Sequence, residues 1–416
     1  MEKRTPKNEP HPRRGFLVML LGALVAFGPL SIDMYLPAMP SLARDFAVPL
    51  ATVEFSVSAF LIGMAIGQLV YGPVSDRFGR KPLLYIGLTL YAASSAACAL
   101  APGAEVLIAA RVMQALGSCA GVVVARAMVR DLFEPREAAG AFSLMMLVMG
   151  AAPILAPLLG GYITAYFGWR SIFWLLAVLA LLCVAVLSRA LPETHGADPG
   201  VRLRDSFRTY ARILRHRQFM GYAVSGSLAQ AGMMAYITGA PFIFIELFGV
   251  PAEHFGWIFG LNAFGLISMA QVNLLLLRRY TLDQVLRVSF ALIAGIGFFL
   301  LLAGCFGWGI WPVGIGLFSY LAVLGITFPN TAAGALADQG AVAGSASALM
   351  GSIQFTLGFA ASALLTRIHA HGSLPMTGII AGCGLLALLA HRIAIGARGI
   401  SDVDEAEGAV TVVEGV

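Results

Sequence analysis

Long apolar runs, not short alternating strands, organise this chain. A bilayer crossing needs about 20 mostly apolar residues. Runs of that kind fall at 16–37, 54–74, 83–101, 105–128, 141–164, 169–190, 219–246, 255–277, 287–306, 310–332, 343–367 and 375–395. A transmembrane barrel would instead alternate apolar and polar positions in short segments. The pattern predicts an all-α polytopic membrane protein with twelve spans. The first run reads as a retained span, not a cleaved leader: it is long, carries Asp33, and is followed by Pro37 and Pro40.

Composition agrees. Hydrophobic residues make up 59% and charged residues 12% of 416 residues. A soluble domain carries about 25% charge, so neither a soluble globular protein nor a disordered chain fits. The net charge of +5 does not indicate nucleic-acid binding, because the basic residues sit between the apolar runs. Of the 27 lysines and arginines, Arg44, Arg170 and Arg367 fall in odd-numbered gaps and Arg111 inside a span. The rest occupy the two tails and the even-numbered gaps. This asymmetry places both termini in the cytoplasm. The cysteines Cys98, Cys119, Cys183, Cys305 and Cys383 lie within apolar runs and form no CxxC; they read as packing residues.

The gap after span six is the longest and divides the chain. Residues 1–190 form an N-terminal six-helix bundle and 219–400 a C-terminal one. Between them, 191–218 is a cytoplasmic loop. Leu203, Phe207, Tyr210, Ile213 and Leu214 recur there at near-helical spacing among arginines, as in an amphipathic helix on the membrane surface. Gly67-Gln68 before the basic turn in span two is echoed by Ala270-Gln271 in span eight, a trace of the internal repeat common in transporters. The acidic tail 401–416 reads as disordered.

Ionisable residues inside a membrane are functional candidates by default. Asp33 reads as lying one turn from the outer end of span one, and Arg111 at similar depth in span four. Such a pair can make contact. A neighbouring guanidinium and withdrawal from water act oppositely on a carboxyl, which can then carry a proton as access alternates. A static ion pair is the alternative. Glu54 and Glu246 read as interfacial, without a role. The seven histidines lie in tails, loops or span ends, which leaves little for a histidine relay. Gln114 shares the helix face of Arg111. With Tyr35, Met233, Tyr236 and Asn262 it is a candidate for lining a substrate cavity. In span five, Gly150, Pro153, Pro157, Gly160 and Gly161 fall within a few turns, so the helix is bent and presents a smooth face.

Four segments carry a resemblance. YGPVSDRFGRKPLL, between spans two and three, is similar to the major facilitator signature G-x-x-x-D-R-x-G-R-[KR] through Gly72, Asp76, Arg77, Gly79, Arg80 and Lys81. Gly79 permits a tight turn, Asp76 is placed to cap a helix N-terminus, and Asp131 is the candidate acid for Arg80. The segment Arg111–Gly117 is similar to the R-x-x-Q-x-x-G element of drug:proton antiporters, and Ala156–Gly161 to their G-P-x-x-G-G motif, with Ala156 in place of the first glycine. Pro29–Pro37 closely resembles the first span of the bicyclomycin-resistance (Bcr/CflA) group.

This resemblance implies the major facilitator fold, with twelve transmembrane helices in two pseudo-symmetric six-helix halves. It implies efflux of lipophilic drugs across a bacterial inner membrane by exchange with protons, with Asp33 as carrier and the span-two cluster as a cytoplasmic gate. Some relatives have a second acid two turns before Asp33; here that position is Val25. Small lipophilic drugs, protons and the lipid bilayer are then the partners, and a monomer suffices. Proton-coupled uptake or export of a small metabolite on the same fold is the alternative. Nothing suggests an enzyme or a cofactor: the sequence has no GxxxxGK[ST] loop, nucleophile elbow or metal-ligand cluster.

Overall fold

The computed structural model describes residues 11–133, 135–190, 193–194, 203–368 and 372–413, and every regular element among them is helical. Among the described residues twelve helices are long and apolar enough to cross a membrane. They are Gly15–Asp45, Leu50–Phe78, Arg80–Ala99, Ala104–Leu132, Leu147–Phe167, Arg170–Arg189, Arg217–Leu247, Ala252–Leu276, Leu282–Cys305, Ile310–Leu336, Ala343–Arg367 and Leu374–Ala394, numbered spans one to twelve below. The two sides of the bundle are called arginine-rich and arginine-poor, after the charges at the span ends.

Span one differs from its expected form. Its long helix His11–Asp33 ends at Asp33, passes through a 3-10 turn, Leu36–Ala38, and resumes as Met39–Asp45. Pro37 lacks the N–H that would have bonded the Asp33 carbonyl, and Pro40 lacks the one that would have bonded the Leu36 carbonyl. Proline is compatible with the first turn of the following segment, so the chain restarts instead of stopping. Asp33 therefore sits roughly 18 Å of helical rise before the end of the span. It lies deep in the bundle, not one turn from the end.

Within the N-terminal half, span four is the hub. A Cβ on Gly117 would stand 2.6 Å from the Tyr91 amide nitrogen, and one on Gly121 2.8 Å from the Leu24 carbonyl. Only glycine lets spans three and one approach this closely. The halves meet along two seams. On one, Gly351 and Gly358 of span eleven lie against Gln68 and Leu61 of span two. On the other, Gly256 of span eight lies against Leu158 of span five.

The two adjacent glycines of span five serve different neighbours. A Cβ on Gly160 would collide with the Met34 carbonyl oxygen, next to the break in span one, whereas one on Gly161 would be 3.1 Å from the Ala252 carbonyl of span eight. Pro153 and Pro157 lie inside the same helix. Gly160→Ala should lower stability by about 1–3 kcal/mol, since overpacking here meets backbone, not a movable side chain. Gly72→Ala, inside the span-two helix with nothing within 4 Å of the added methyl, should not lower it, since alanine is the better helix former. Thermal unfolding of both variants in detergent checks the contrast.

The loop after span six holds a helix, Leu203–Leu214. Tyr210 and Ile213 are buried and Phe207 is exposed. Tyr210 Oη donates to the Leu69 carbonyl of span two at 3.1 Å, and burial together with the nearby Asp76 charge pushes its hydroxyl up to about 12. The apolar stripe expected to face lipid is thus partly spent on the bundle, while Arg204, Arg208 and Arg212 point to solvent. The other loop residues, 191–192 and 195–202, lie outside the described residues. The last helix runs Leu374–Val413, so the expected irregular tail is helical to Val413, consistent with its alanine and glutamate content; residues 414–416 lie outside the described residues. Gln271 is exposed where Gln68 is buried, so the apparent repeat of these glutamines is not a repeat of environment.

Candidate functional site

Two polar clusters flank span one near its break, on opposite faces. The first surrounds Arg111, which is fully buried. Its Nη1 donates to the Ser31 carbonyl at 2.9 Å and to Gln114 Oε1 at 2.6 Å. Gln114 Nε2 in turn donates to Ser95 Oγ at 2.8 Å. The guanidinium lies 4.5 Å from the Phe60 ring centre, 4.9 Å from that of Tyr35 and 6.0 Å from that of Phe173. Ring faces and carbonyl dipoles offset its charge. Tyr35 Oη hydrogen-bonds Ser56 Oγ at 2.9 Å, and Ser31 Oγ hydrogen-bonds Tyr91 Oη at 2.6 Å. Arg111 Nε and Nη2 have no hydrogen-bond partner.

The second cluster faces the C-terminal half. Asp33 is 4% exposed and lies within electrostatic reach of Tyr236 in span seven. Asn262 Nδ2 of span eight donates to Tyr236 Oη at 2.9 Å, and the Tyr236 ring stacks on Phe259 at 5.5 Å. The expected contact between Asp33 and Arg111 is not made: none of the ion pairs among the described residues joins them. Helical phase explains this. Residues two apart point to nearly opposite sides of a helix. Ser31 and Tyr35 share the face toward span four, so Asp33 faces away, toward span seven.

The candidate cavity residues therefore divide. Tyr35 and Gln114 belong to the arginine cluster, as brackets for Arg111. Tyr236 and Asn262 stand beside Asp33 at the meeting of the halves. Met233 is half-buried. Two other intramembrane amides, Asn273 and Asn330, bond each other at 2.7 Å between spans eight and ten.

On the arginine-rich side the signature residues converge. Gly79, at φ 96°, makes the break between spans two and three that only glycine adopts easily. Arg80 is 6% exposed. Its Nε donates to Asp131 Oδ2 at 3.1 Å, its Nη1 to Ser75 Oγ, and it pairs with Asp76 one turn earlier. Asp76 is thus held by Arg80 and does not cap the next helix. That role falls to Glu193, which accepts from the amides of Arg80 at 3.0 Å and Lys81 at 3.1 Å. Sequence reasoning missed Glu193; an acid just past the end of span six was the only signal. Arg77 and Lys81 lie over the rings of Phe78 and Tyr85, and nothing packs on Gly72. Arg130 reaches Gly344 of span eleven, its Nη1 3.5 Å from where a Cβ would stand, so the two halves meet on this side too.

Twelve spans in two packed halves, with a signature turn between spans two and three at the arginine-rich end, agree with a family model: residues 19–366 fit that of the Major Facilitator Superfamily. The chain is a major facilitator. It is 36% identical over 379 residues to the MFS-type transporter YdgK of Bacillus subtilis, covering 90% of this chain and 94% of that one. It is 30% identical to a bicyclomycin resistance protein homolog of Haemophilus influenzae, with 90% and 94% covered. To multidrug resistance protein D of Escherichia coli it is 29% identical, with 87% and 90% covered. Among solved structures, a D-xylose-proton symporter superposes with a TM-score of 0.68 at 18% identity, over 90% of this chain and 96% of that one. This major facilitator is a multi-pass transport protein and not an enzyme.

Proposed function

We propose that this transporter exports lipophilic drugs across a bacterial cytoplasmic membrane in exchange for protons, with both termini in the cytoplasm. The observation that carries the reading is Asp33: a carboxyl buried at a helix break, where the two halves meet, with no ion-pair partner among the described residues. An unpaired carboxylate is costly to bury, whereas the protonated acid is tolerated. Opening the halves to water on either side reverses that preference. A proton is then bound and released as the halves rock, with no further machinery. Relatives named for bicyclomycin and multidrug resistance support drugs as the cargo.

In this cycle the outward-open state releases drug and protonates Asp33. The inward-open state returns the proton to the cytoplasm and binds the next drug. Tyr236 and Asn262, beside Asp33, would meet the drug. Arg111 would act as a positioning residue: by gripping the Ser31 carbonyl and lying against Tyr35, it fixes the segment that carries Asp33. The Asp76–Arg80–Asp131 cluster with Glu193 would latch the cytoplasmic ends while the outer side is open.

Reconstituted in vesicles with an imposed proton gradient, the protein should move an ethidium-like or bicyclomycin-like compound against its concentration gradient. Collapse of the gradient by a protonophore should stop it. Movement that survives the protonophore would overturn the exchange reading.

A further inference from the structure

A second acid is buried in the same half, outside the Asp33 cluster. Glu54 lies one turn inside span two at its arginine-poor end and is 6% exposed. Its Oε1 has no hydrogen-bond partner, and neither has the hydroxyl of Ser58, one turn further along. Glu54, Ser58 and Leu61 share one helix face. Leu61 Cδ1 is 3.7 Å from where a Cβ on Gly358 would stand, and Gln68, two turns on, touches Gly351. The spans run antiparallel with matched seven-residue steps, so the same register sets Glu54 opposite Leu365. The carboxyl thus occupies the outer end of the seam between the halves.

The charged and titratable groups on the neighbouring elements are Arg44 and Asp45 beyond the span-one break, Cys98 of span three, Glu105 and Arg111 of span four, Glu246 at the end of span seven, and Arg367 at the end of span eleven. None of the ion pairs among the described residues includes Glu54. Asp45 pairs with Arg170, and Arg111 is taken up by Ser31, Gln114 and the rings. Tyr35, hydrogen-bonded to Ser56, is the group within electrostatic reach of Glu54.

We propose that Glu54 is a second proton-binding site, one that must be loaded from outside before the outer seam can close. A carboxylate here would be sealed between spans two and eleven without a counter-charge, which the interior does not tolerate. The neutral acid fits. When the seam opens, water solvates the charged form and the proton leaves. The closed state holds one more proton than the open state, so acidification favours closing. This deepens the proton-exchange reading and uses its orientation, but it assigns the outer gate to a residue other than Asp33.

The test places spin labels at Ala51→Cys and Ile368→Cys, on the outer ends of spans two and eleven, in a Cys183→Ser, Cys305→Ser background, and reads the distance between them. Going from about pH 8 to about pH 5.5, the otherwise native protein should shift toward the short, closed distance. Glu54→Gln should remain closed at both pH values, and Glu54→Asp should keep the shift. Asp33→Asn should also keep it, although it loses drug-linked proton movement. A pH response in Glu54→Gln equal to that of the parent, or none in the parent itself, would overturn the proposal. If instead Asp33→Asn exchanges protons normally while Glu54→Gln stays closed, the exchange role of Asp33 fails and the gate role of Glu54 stands.

Discussion

Replacing Asp33 by asparagine should abolish drug-induced proton release from the detergent-solubilised protein while leaving it fully folded. Asparagine has the shape of the protonated acid and carries no charge at any pH. With no ion-pair partner to lose among the described residues, the variant should melt at or above the wild-type temperature, because a carboxyl with a latent cost of ionising in the interior has been removed. Drug binding should persist and lose its pH dependence: wild-type affinity falls as the pH drops and protons compete, whereas that of the variant should stay level. Proton release that continues undiminished would remove Asp33 as carrier and leave Glu54 as the other buried acid among the described residues of the N-terminal half.

Arg111 makes the sharper case, because its structural and functional roles can be separated. Arg111→Lys retains the charge, but a compact, strongly hydrated ammonium can neither fork between Ser31 and Gln114 nor lie flat against Phe60 and Tyr35. It should lose about 2 kcal/mol of stability and most transport. Arg111→Met nearly conserves volume and removes the buried charge. It strands the Ser31 carbonyl and Gln114 Oε1, at about 1–3 kcal/mol each. It also abolishes the desolvation cost of a guanidinium two of whose nitrogens lack partners. These contributions oppose each other, so the methionine variant should unfold within about 2 kcal/mol of wild type yet fail to transport. Unfolding temperatures and drug efflux measured on the same preparations decide it. A methionine variant that transports normally would make Arg111 a packing residue only.

Much of this protein was legible before any coordinates. Span number and the charge asymmetry follow from the cost of burying polar backbone and charge in a bilayer, and that cost is written residue by residue. The close approach of Gly160 was legible as well, since a Gly-Gly pair just past two prolines in an apolar helix has few other uses. The signature pointed to Arg80, and the acid at the end of span four, Asp131, was its candidate partner; the two lie 3.1 Å apart.

Depth and facing were not legible to the same degree. Two prolines looked like the end of span one, although a helix can restart through them, and this moved Asp33 from the rim to the interior. Asp33 and Arg111 looked like partners because opposite charges at one level attract. The 100° step of the helix sends Ser31 and Asp33 to opposite sides, and only the packing of spans four and seven shows which side meets which. Glu54 looked interfacial because hydropathy reports how much apolar chain there is, not which face of it a neighbour covers. Glu193 had no signal beyond its place just past span six: its partners are two backbone amides more than a hundred residues away. The sequence by itself thus determined which residues enter the membrane. The tertiary structure decided which of them lose contact with water, because burial between helices depends on distant segments arriving at the same face.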